Sequence, residues 1–151
     1  MSEQRTTYEL IEAVVARLKP DEVELLPDLW AAYVDHPDPE RAGERLLGSG
    51  ILADVAGWAP IVVSFVGGAV LEALKEEITE RTRGVFGWRA RRKAKRQALT
   101  EPLTLSDEQR RRIRAAILSR ARAINMSPER AELLSDAVAG ALQRESESQE
   151  P

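Results

Sequence analysis

The chain contains no cysteine and a single histidine, His36. The first absence excludes disulfide frameworks, thiolate nucleophiles and zinc sites built on sulfur. The second leaves no pair of imidazoles for a metal and no obvious base for a Ser-His-Asp arrangement, and no G-x-S-x-G elbow is present. His36 lies in Asp35-His36-Pro37-Asp38-Pro39. A metal reading would join it to Asp35, Asp38 and Glu40, but prolines and Asx residues describe a solvated turn better. There is no strand-like alternation, no internal repeat and no glycine-rich loop following a strand, which removes the usual phosphate-cradling motifs. No basic n-region with an apolar run opens the sequence, so no secretory signal is expected and the cytoplasm is the expected location. An enzyme is not expected either, because no spacing joins a nucleophile, a base and an oxyanion donor. No cofactor, metal or small-molecule substrate is implied.

Opposite charges are far from evenly spread. The net charge is −3, yet residues 1–80 hold 6 basic and 16 acidic side chains, a balance of −10. Residues 81–122 hold 14 basic and 3 acidic, a balance of +11, and residues 123–151 return to −4. A basic middle between acidic ends either invites an anionic partner or is neutralised by its own flanks. Arginine outnumbers lysine 18 to 4.

At 151 residues the chain is about one domain long. The apolar spacing predicts an all-α fold: a small helical bundle with a central apolar helix or helical hairpin and a C-terminal helical hairpin. Amphipathic helices are expected over 1–45. The first is opened by a capping box of Thr6 and Glu9 and carries Tyr8, Ile11, Val14, Val15 and Leu18. The next carries Leu26, Leu29, Trp30 and Tyr33, with Trp30 assigned to the core rather than to a cofactor box. A short helix is expected from Pro39 towards Leu47. Residues 46–83 form a central apolar segment continuing as a charged helix that stops near Gly84. Residues 84–104 read as a basic linker. Residues 105–144 read as the hairpin, its first helix capped by Ser106 and Gln109 and facing inward through Ile113, Ala116, Ile117, Ala121 and Ile124. The second is capped by Ser127 and faces inward through Ala131, Leu134, Val138, Ala141 and Leu142. Residues 145–151 are expected to be a disordered tail.

The stretch Leu46 to Leu71 carries one charge, Asp54. Its uncharged part from Val55 to Leu71 has 17 residues, against ~20 needed to cross a ~30 Å hydrocarbon layer. Eight strongly apolar residues there contribute roughly −2.4 to −4.8 kcal/mol on an insertion scale, and including Asp54 would cost about +2.5 to +3.5. If Pro60 opens a helix, the apolar part before Glu72 extends only about 18 Å at the α-helical rise. Two short arms, Leu46 to Ala59 and Pro60 to Leu74, therefore suit a re-entrant hairpin or an interfacial pair of helices rather than a transmembrane helix. On this membrane reading Trp58, Ile61, Val62, Phe65, Val66, Val70, Phe86 and Trp88 meet the bilayer. Arg89, Arg91, Arg92, Lys93, Lys95 and Arg96 then meet anionic lipid or another anionic partner, each worth on the order of 1 kcal/mol near the surface. The alternative is that Leu46 to Ile78 is the buried centre of a soluble bundle, with Phe65 and Val66 in its core.

Sequence-specific DNA binding is the least favoured partner class. Arg110, Arg111, Arg112, Arg114, Arg120 and Arg122 lie on the first helix of the hairpin, but Glu129, Glu132 and Asp136 make the second acidic. The segments Glu24-Leu-Leu-Pro-Asp-Leu-Trp-Ala-Ala-Tyr-Val-Asp-His-Pro-Asp38 and Ser127-Pro-Glu-Arg-Ala-Glu-Leu-Leu-Ser-Asp-Ala-Val-Ala-Gly-Ala-Leu142 resemble small uncharacterised helical proteins of actinobacteria. Those proteins share a glycine-rich apolar middle and a basic segment before a helical hairpin. The resemblance implies no activity and no catalytic residues. The expectation is a non-enzymatic protein that associates with or perturbs the inner face of the cytoplasmic membrane through its central apolar and basic segments, the flanking helices serving partners or regulation. A soluble helical adaptor or scaffold, with a protein partner or a homo-oligomer, is the alternative.

Overall fold

A computed structural model describes residues 5–35, 57–84 and 87–149. Among these residues the fold is all-helical, with seven α-helices and one 3-10 turn. The expected helix from Pro39, residues 46–56 of the arm Leu46 to Ala59 (with Asp54), His36 and Phe86 lie outside the described residues.

Helix α1 (Thr7–Leu18) begins where the sequence places it. Glu9 N donates to Thr6 Oγ1 at 3.3 Å and Thr6 N donates to Glu9 Oε1 at 3.2 Å, so each residue satisfies an amide the helix leaves open. A 3-10 turn (Pro20–Leu25) then leads into α2 (Leu26–Asp35). Leu26 and Tyr33 are buried, while Trp30 is half-buried between the rings of Tyr8 and Tyr33 at 6.0 and 5.9 Å.

Helix α3 (Ala59–Ala73) is the centre of the molecule. Every residue from Ile61 to Leu71 is buried. A helix that is apolar on all sides has to be covered on all sides, and α1, α2 and the helices over Trp88–Thr100 and Asp107–Ala123 supply the cover. Ile61, Val62, Phe65, Val66 and Val70 are therefore core residues, with Phe65 2% exposed and the other four 0%. These residues, expected to meet a bilayer, are covered by neighbouring helices in this fold. Among the described residues no helix is long and apolar enough to cross a membrane.

The charged continuation is a separate helix, α4 (Lys75–Arg81), because the chain bends at Leu74 (φ −96°, ψ 12°). The hydrogen bonds from Leu74 N to Val70 O and from Ile78 N to Leu74 O carry the ladder across the bend. The stretch expected as a basic linker, 84–104, contains a helix. Trp88–Thr100 form helix α5, whose inward positions Ala94, Ala98 and Leu99 are buried. Two of the three are alanines, which bury too little area to stand out among six cations.

Helix α6 (Asp107–Ala123) opens with the expected Ser106 and Gln109 capping box. It buries Ile113, Ile117 and Ala121, and Ala116 and Ile124 are half-buried. The chain turns through Asn125 (φ 56°) into α7 (Pro128–Gln149), which packs Leu134, Ala137, Val138, Ala141 and Leu142 onto the bundle. Helix α7 runs through Gln149, beyond the boundary at residue 144. Its last residues include good helix formers, and no glycine or proline interrupts them before Pro151.

Candidate functional site

Helix α5 carries the densest positive charge of the chain and contains no acidic residue. Its burial pattern divides the six cations into groups with different tasks. Arg92 and Arg96 turn towards the end of α2. Arg92 Nε donates to Asp35 O at 2.9 Å and its Nη2 also donates there. Arg96 Nε donates to Val34 O at 3.2 Å, and its Nη2 donates to Asp35 O and to Asp35 Oδ1, both at 2.9 Å. The last carbonyls of a helix have no partner within it and carry the negative end of its dipole, so two guanidinium groups suit that position. These two arginines hold α2 against α5.

Arg89, Arg91 and Lys93 are exposed and Lys95 is half-buried. None of the four makes a side-chain hydrogen bond or ion pair within the described residues. Trp88, at the head of the helix, is 65% exposed, the most exposed large apolar side chain of the described residues. The guanidinium carbons of Arg89 and Arg92 lie 5.6 and 5.8 Å from its ring centroid. Trp58, the other tryptophan assigned to a bilayer, is half-buried with Arg130 over its ring at 4.6 Å.

A cleft of about 420 Å³ lies between the α3–α4 bend and α5. Leu71 and Ile78 line it with apolar surface, and Thr79 and Thr82 add hydroxyl groups. Lys75, Arg91, Lys95 and Arg120 bring positive charge from three different helices, against one carboxylate, Glu72. Arg120 Nη2 lies 3.3 Å from that carboxylate. Gly68 makes room for this arginine: a Cβ there would stand 3.0 Å from the Arg120 guanidinium. The small residue thus receives an arginine side chain.

Two other concavities are less polarised or more self-paired. A groove of about 400 Å³ is lined by Tyr8, Pro27, Trp30 and Leu99. Burial raises the Tyr8 phenol above its ordinary 10.0, and the nearby Glu12 charge adds to this. A cleft of about 320 Å³ holds Arg110, Arg111 and Arg114. Arg110 donates to Leu105 O at 2.8 Å and pairs with Asp107. Arg112 pairs with Glu108 at 2.8 Å and approaches Glu76 at 3.8 Å, so half of the six arginines weighed for DNA have carboxylate partners within the fold.

Sequence reasoning found the cations of α5 but missed Lys75, Thr79 and the place of Arg120 beside them. Lys75 is 20 positions from Lys95 and 45 from Arg120, and no local spacing announces a meeting set by packing. The chain matches no family model, no curated protein and no solved structure.

Proposed function

We propose that this protein is a non-enzymatic helical module that docks on an anionic membrane surface through the outer side of α5, the other helices serving partners or regulation. The observation that carries the reading is Trp88, 65% exposed at the head of a helix without acidic residues whose Arg89, Arg91 and Lys93 are exposed. A tryptophan at headgroup level supplies apolar anchoring, and each cation adds on the order of 1 kcal/mol near an anionic leaflet. Three such cations give a binding energy that salt readily screens, so the tryptophan and the charges are needed together. This version moves the contact from α3, whose apolar residues are core, to α5, and requires no opening of the bundle.

Vesicle flotation tests it. The intact chain is expected to float with phosphatidylserine-containing vesicles at low ionic strength, to stay below with phosphatidylcholine alone, and to be released by salt. A Trp88→Ser, Lys93→Glu variant is expected to lose flotation. If the intact chain stays below with anionic vesicles at low salt, the docking reading fails.

A helical adaptor or scaffold is the second reading. It is favoured by the burial of Phe65 and Val66 and by Leu133, 54% exposed on α7, and it expects a monodisperse species whose size is unchanged by detergent.

A further inference from the structure

We infer that the cleft between the α3–α4 bend and α5 binds a phosphate group. The inference rests on the reading that α5 turns its positive charge towards an anionic partner, and deepens it by naming the partner's chemistry.

The pairing of the surrounding carboxylates carries the argument. Glu72 contacts Arg120, Glu76 approaches Arg112, Glu77 accepts from Gln109 at 2.8 Å, and Glu80 pairs with Arg83. Every carboxylate on this part of α3 and α4 thus has a partner. Lys75, Arg91 and Lys95 line the same cleft and have none among the described residues. Arg91 and Lys95 are one turn apart on α5, so they share a face, and Lys75 approaches from the start of α4. Like charges gathered from separate helices repel one another, and an anion held among them removes that repulsion.

Phosphate fits this lining better than a single carboxylate does. Four cations against one carboxylate leave a surplus of three positive charges, and a phosphate monoester carries nearly two negative ones with three acceptor oxygens. Lysine and arginine donate to those oxygens, arginine in bidentate fashion. Thr79 adds a hydroxyl at the wall, while the Thr82 hydroxyl donates to Ile78 O at 3.1 Å, and Leu71 and Ile78 offer apolar surface to whatever the phosphate is attached to. A volume of about 420 Å³ is that of a small-ligand site. The phosphate belongs either to a soluble phosphorylated molecule or to a lipid headgroup reached as α5 lies on a membrane.

Calorimetric titration of the full chain with inorganic pyrophosphate tests the soluble source. Flotation on phosphatidic acid vesicles against phosphatidylserine vesicles of matched surface charge tests the lipid source. The variant is Lys75→Gln, Lys95→Gln, which leaves Trp88, Arg89 and Lys93 in place; Lys93→Gln is the control outside the cleft. Circular dichroism checks that both stay folded. Saturable pyrophosphate binding that the double variant weakens on the order of tenfold or more, with Lys93→Gln changing it less than about twofold, supports the site and a soluble ligand. A preference for phosphatidic acid that the double variant abolishes, while it still floats with both vesicles, supports the site and a lipid headgroup. Absence of both effects, or their persistence in the double variant, overturns the inference. Pyrophosphate binding by a chain that floats with neither vesicle removes the docking reading alone.

Discussion

Glu22 shows how much can depend on one buried side chain. It is 8% exposed, and its carboxylate accepts from Trp58 N at 3.0 and 3.1 Å and from Ala59 N at 3.2 Å. Pro60 has no amide proton, so Glu22 covers the two donors just before it at the start of the core helix and places negative charge at the positive end of its dipole. Gly57 makes the approach possible. Its φ is +77°, and a Cβ there would stand 2.4 Å from Glu22 Oε1. Gly57→Ala therefore combines a strained backbone with a steric conflict, and is expected to destabilise the protein by about 1–3 kcal/mol in urea unfolding. Glu22→Gln, which keeps an acceptor, is expected to cost less than Glu22→Ala. Equal midpoints for Gly57→Ala and wild type would show that the cap is not tight. The sequence gives no sign of this pair, because the cap lies 36 positions from the amide it serves. The caps at Thr6 and Ser106 were legible because both partners lie within four residues.

Helix α5 carries the lesson of the next scale. Its inward face is Ala94, Ala98 and Leu99, and its outward face is a row of cations. In sequence the charge conceals the helix, since alanine adds little to any apolar periodicity. In the fold the small side chains let α5 lie close to α3, and Arg92 and Arg96 reach the last carbonyls of α2. The same helix is thus structural on two sides and free on the third. Ala98→Glu would bury a carboxylate without a partner and is expected to lower stability by roughly 2–4 kcal/mol. Lys93→Glu, on the exposed side, is expected to change it by less than about 0.5 kcal/mol. Thermal melts of the two variants distinguish a packed helix from a linker, which would tolerate both changes alike.

At the level of the whole molecule, α3 is the shared partner of α1, α2, α5 and α6. Phe65 is the largest of its fully buried side chains. Phe65→Ala is expected to cost about 3–5 kcal/mol, a large part of the about 5–15 kcal/mol that holds a typical domain together. Because four helices lose contact with α3 together, the loss should appear as one cooperative transition at a lower midpoint in both near- and far-ultraviolet circular dichroism. Melting of α7 apart from the rest would show that the bundle is not one cooperative unit.

The sequence alone determined the all-α class, the positions of the first and last helices, the hairpin and the concentration of positive charge. These follow from local spacing, where capping, 3.6-residue periodicity and composition act over a few residues. It also led to the expectation that the stretch ending at Leu71 is too short to cross a bilayer and too apolar to leave in water. Only the tertiary structure decided where the described part of that stretch goes. Four helices cover α3 on every side, so its valines, isoleucine and phenylalanine became core, and the candidate contact passed to α5, whose inward face is mostly alanine. The cleft likewise exists only in three dimensions, because Lys75, Arg91, Lys95 and Arg120 meet through the packing of separate helices, and the strength of charge interactions depends on distance in space rather than along the chain.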